Sequence, residues 1–82
     1  MARFLIVIEK ASEIYGAYAP NLPGCVAVGD TLAAVEQNMA AAMRMHIEGM
    51  LEDNEPVPAP QSTACYVEIS LPDVTARTIP IV

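Results

Sequence analysis

Apolar positions recur with a period of two near the start of the chain, with a period near 3.6 in its middle, and with a period of two again towards its end. Residues 3–9 read as a buried strand, with Phe4, Ile6 and Ile8 on one face and Leu5 and Val7 on the other. Lys10 to Glu13 is a short polar connection. Residues 14–19 form a second strand, spaced for an antiparallel hairpin with the first. The stretch Pro20-Asn-Leu-Pro-Gly24 is a turn: two prolines fix φ and remove donors, and Gly24 can take a positive φ. Residues 25–29 return as a third strand.

The period then changes. Asp30 or Thr31 can cap a helix from about residue 31 to about residue 53, because a short side-chain oxygen reaches the free amides of the first turn. Leu32, Val35, Met39, Met43, His46 and Met50 share a stripe, flanked by Ile47. Gln37, Arg44, Glu48 and Glu52 lie opposite. Pro56, Pro58 and Pro60 end the helix and favour an extended stretch. Residues 64–71 alternate as a fourth strand, with Cys65, Val67, Ile69 and Leu71 on one side.

These elements predict an α+β fold: β-β-β-α-β, one mixed sheet with a single long helix packed on one face. The fourth strand is expected beside the first and parallel to it, because the helix then makes a right-handed crossover. Residues 1–72 form the domain. Residues 73–82 are a short C-terminal tail, expected not to make a DNA-binding domain. One helix covers one side of a sheet, so the other apolar face needs the tail, a second copy or another protein. A homodimer or higher homo-oligomer is the expectation.

Composition sharpens that picture. The 82 residues are 54% apolar, above the usual share of about 45–50%. A chain this short buries only about 60–65% of the surface its unfolded form exposes, so surplus apolar surface is left over. Four basic and ten acidic residues give a net charge of −6. Without a basic stripe, no direct nucleic-acid binding is expected, and an acidic surface instead suits a basic protein partner. The longest apolar run, Phe4 to Ile8, is far too short to span a membrane or serve as a signal peptide, so the cytoplasm is the expected location. In that compartment Cys25 and Cys65 read as reduced, buried hydrophobes, too far apart to bridge.

Tyr15-Gly-Ala-Tyr-Ala-Pro-Asn-Leu-Pro-Gly-Cys25, Gly29-Asp-Thr-Leu32, Val35-Glu-Gln-Asn38, His46-Ile-Glu-Gly-Met-Leu51 and Glu55-Pro-Val-Pro-Ala-Pro60 together resemble the HicB antitoxin domain, over about three-quarters of the chain. The P-x-L-P-G-C turn followed by the G-D-T helix start is the specific part. The resemblance implies a reduced RNase-H-like fold and an antitoxin of a bacterial type II toxin–antitoxin pair. Such a protein neutralises a HicA-like toxin, a small basic ribonuclease that cleaves messenger RNA. Full-length relatives of this kind usually add a C-terminal DNA-binding domain. The alternative is a diverged stand-alone oligomeric HicB-like domain that binds another protein or a small ligand and has no toxin partner.

An enzyme is not expected. Two-metal phosphoryl chemistry needs converging carboxylates, and the interior of the first strand carries none. A lone histidine, His46, on the apolar stripe makes no histidine cluster within one chain and reads as a core residue. No catalytic residue, metal ligand or cofactor is assigned. The candidate partner-binding residues are Glu36, Met45, Glu48, Glu52, Asp53 and Glu55: acids for a basic surface and an exposed, adaptable thioether.

Overall fold

The computed structural model describes residues 2–72. The expected tail, 73–82, lies outside the described residues. The fold is α+β: three antiparallel strands, β1 (Val7–Lys10), β2 (Tyr15–Tyr18) and β3 (Val26–Gly29), then one long helix, α1 (Leu32–Glu52). The strands lie in the order β1-β2-β3.

The first strand was expected over 3–9, yet pairing starts at Val7. The register explains this. Val7 faces Tyr18, so continuing the ladder backwards would set Leu5 opposite Pro20. A proline has no N–H to give a ladder, and pairing stops short of it. Phe4 and Ile6 still pack against the core beside Ile8.

Register also decides which face is which. Ile8, Ala17 and Ala27 form one cross-strand row, and Val7, Tyr18 and Val26 form the next on the opposite face. The first row faces α1. Ala17 joins Ala19, Leu22, Cys25, Val35 and Met39 in the buried core. Small side chains on the inner face let the helix approach closely. At Gly29 a Cβ would lie 2.5 Å from the backbone nitrogen of Val35.

Of the two candidate caps, Thr31 takes the role: its Oγ1 accepts from the Ala34 amide at 3.0 Å. Thr31→Ala should lower stability by about 1 kcal/mol, read from urea unfolding, because one first-turn donor loses its partner. The stripe packs as expected through Val35, Met39, Met43, Ile47 and Met50. Leu32, at the helix's first position, is an exception and is 50% exposed. The helix ends where Asn54 adopts φ 58°. Glu55 N–H donates to Met50 O at 2.8 Å and Asn54 N–H to Leu51 O at 3.2 Å, closing the last carbonyls before Pro56.

Residues 64–71 depart from expectation. They form no strand, so the sheet is antiparallel and not mixed among the described residues. They stand exposed, and their backbone groups are left to solvent. The consequence reaches Cys65, which is an exposed free thiol and not a buried hydrophobe.

Candidate partner-binding site

Helix geometry sorts the six candidate partner-binding residues. Met45, Glu48 and Glu52 are spaced by three and four, so they share one stripe. Met45 is 72% exposed. Asp53 is the C-cap residue, with its N–H bonded to Gly49 O at 3.1 Å. Glu55 is fixed through its bond to Met50 O. Five of the six residues therefore gather around the C-terminal end of the helix, on a backbone locked by its cap. Glu36 stands apart, 12 positions before Glu48, which is about 18 Å along the axis.

This end of the helix is electrostatically one-sided. Its last turn has no basic residue, and its first turn has no acidic one. The helix dipole places partial negative charge at the C-terminus, where acids are disfavoured. Glu48 and Glu52 add a like-charge i,i+4 pair, which itself costs a few tenths of a kcal/mol. The isolated fold gains nothing from this arrangement. A cationic surface placed against it would relieve the repulsion.

A second surface is apolar. On the sheet face away from α1, Val7, Tyr18 and Val26 line up beside Gly16 and Val28. Val26 and Val28 are 66% and 59% exposed. The expectation of an uncovered apolar sheet face therefore holds among the described residues, and the register identifies Val7, not Ile8, as its member from β1.

The Pro20–Gly24 turn is the third feature; the positive φ expected at Gly24 is present, whereas the burial of Leu22 and the reach of Asn21 were not legible in the sequence. Leu22 is fully buried, and Gly24 takes φ 84°. Asn21 reaches across to the chain beyond the helix, where its Oδ1 accepts from the amides of Gln61 at 3.3 Å and Ser62 at 3.2 Å. An Asn between two prolines signals a turn, but the 40-residue separation of its partners left no sequence trace. Asn38 was likewise missed; its Nδ2 donates to Val28 O at 2.8 Å and ties α1 to β3.

No group of three or more His, Cys, Asp or Glu side chains could hold a metal ion among the described residues. Burial pushes the Cys25 thiol up from its ordinary value. His46 is half-buried on the helix. No described helix is long and apolar enough to cross a membrane.

Comparison with known proteins gives a consistent result. A family model described as the HicB-like antitoxin of bacterial toxin–antitoxin systems matches residues 4–80. A protein of Haemophilus phage HP1, described as an uncharacterized 14.9 kDa protein from the rep-hol intergenic region, is 42% identical over 62 residues. That match takes in 76% of this chain but 47% of the phage protein, so the chain spans about half of that relative's length. A UPF0150 protein of Synechocystis is 34% identical over 56 residues, covering 67% of this chain and 71% of its own. Among solved structures, a chain of a HicA3 and HicB3 toxin–antitoxin complex superposes with a TM-score of 0.60 at 31% identity, covering 72% of each chain.

Proposed function

The chain belongs to the HicB-like antitoxin family, and from that premise we propose that it neutralises a small, basic, HicA-like toxin by direct protein–protein binding. The observation that carries the reading is the capped, acid-rich C-terminal end of α1. Glu48, Glu52, Asp53 and Glu55 concentrate negative charge where the helix itself opposes it. Binding there occludes the toxin and needs no chemistry from the antitoxin. Met45, exposed within the same patch, supplies an adaptable apolar contact. The likeness to a chain of a toxin–antitoxin complex supports the same reading.

The test is co-expression with a small basic HicA-like toxin, sought first in the adjacent reading frames, followed by titration of the purified pair. A complex should form at micromolar concentration and weaken as salt rises, because charge contacts are screened. The double substitution Glu48→Lys with Glu52→Lys should weaken binding on the order of 100-fold at low salt, or roughly 2.7 kcal/mol. It should leave the fold intact, since both positions are exposed and the new cations suit the helix C-terminus. Failure of the wild-type pair to associate, or binding indifferent to both the salt and the substitutions, would overturn the reading.

A further inference from the structure

We propose that residues 64–71 are an exchange arm: in solution two copies of this chain each add that segment to the outer edge of the other's β1, completing a four-stranded sheet in both. The arm has the pattern of a strand and none of a strand's partners. Cys65, Val67, Ile69 and Leu71 alternate with Tyr66, Glu68 and Ser70. Among the described residues, nothing pairs with it. Tyr66, Val67 and Ile69 are 104%, 76% and 72% exposed, a cost that a greasy segment of a folded protein does not ordinarily bear alone.

The arm's root is fixed while the arm itself is free. Asn21 Oδ1 holds the amides of Gln61 and Ser62. Pro56, Pro58 and Pro60 keep the approach to that point extended. The segment therefore leaves the body from a set position and projects.

The receiving edge is in the same chain. In the order β1-β2-β3, β1 has one neighbour and its outer edge is open. On β3, by contrast, Asn38 from the helix already engages the Val28 carbonyl. An open trough of about 510 Å³ runs between Arg3–Ile6 and Ser62–Ala64, beside the start of β1. Phe4, Ile6 and Ile8 lie on the core side there, so an added strand would set apolar arm residues next to them.

Charge selects a second copy as the occupant. Each chain carries −6, which opposes self-association in general. Yet Phe4 to Ile8 has no charge, Glu9 and Lys10 at the end of β1 offset one another, and the arm has one charge, Glu68. Two copies meeting through these segments bring sparsely charged surface together and leave the acidic end of α1 outside the contact. Donor and acceptor in one chain make the exchange reciprocal and closed.

The experiment uses the full chain alone. Light scattering on the eluting peak at micromolar concentration should give twice the single-chain mass of 8.7 kDa. Val67→Pro and Ile69→Pro, each removing an amide donor from the arm, should return the mass to one chain with the helical circular dichroism retained. In a dimer reassembled from isotope-labelled and unlabelled chains, arm methyl groups should show nuclear Overhauser contacts to Phe4 and Ile6 of the other chain. A monomeric wild type, a dimer that survives both prolines, or arm contacts confined within one chain would each overturn the proposal.

Discussion

Gly29→Ala should lower stability by about 3 kcal/mol, the cost of overpacking a site whose neighbours cannot yield. The added Cβ would meet Val35 N at 2.5 Å, Val35 Cα at 2.8 Å and Ala34 C at 3.0 Å. All three are backbone atoms of α1. No rotamer change relieves the clash, so the helix must lift from the end of β3. Lifting it uncovers Val35 and Met39, two of the largest fully buried side chains. A domain of this size has a total stability of roughly 4–12 kcal/mol, so the loss is a large fraction of it. The melting temperature should fall by about 12–24 °C, using 4–8 °C per kcal/mol. Gly16→Ala is the internal control. Nothing lies within 4 Å of its would-be Cβ, so it should melt within a few degrees of wild type. If the two alanines behave alike, the close approach of α1 to β3 is wrong.

Gly29 also marks the limit of what the chain discloses in one dimension. Periodicity gave the three strands, the helix and its buried stripe, because side-chain alternation and the helical repeat are local properties. The helix start and the proline stop were legible for the same reason. The close approach at Gly29 was not, since it depends on two elements meeting. Nor was the αL residue Asn54 that closes the helix, because the prolines after it were sufficient to end the pattern. The fourth strand failed for a more instructive reason. Residues 64–71 have the correct alternation, but alternation specifies a strand without specifying whose sheet it joins. The acidic residues were legible as an exposed set. What three dimensions added was their division, with four at the capped helix end and Glu36 about 18 Å away.

Leu22→Ala should cost about 3 kcal/mol and should do so without disordering the turn that carries it. Leu22 is 0% exposed and belongs to the same buried cluster as Val35 and Met39. Removing its side chain leaves a cavity, the usual origin of losses of about 2–5 kcal/mol. The turn's backbone bonds do not involve that side chain: Leu22 N–H donates to Ala19 O at 3.1 Å, and Cys25 N–H donates to Leu22 O at 3.1 Å. Pro20, Pro23 and the positive φ of Gly24 hold the same path. Urea unfolding should therefore register the full loss, while amide exchange below the transition should show Leu22 and Cys25 still protected. Asn21→Ala is the complementary change. It removes the acceptor for Gln61 and Ser62 but no core volume, and should cost about 1 kcal/mol while accelerating exchange at those two amides. The adjacent residues thus divide the work of one turn, Leu22 filling the core and Asn21 fixing the root of the segment beyond the helix. If Leu22→Ala instead releases Gln61 and Ser62 as fully as Asn21→Ala does, the two roles are not separable and the turn acts as a single unit.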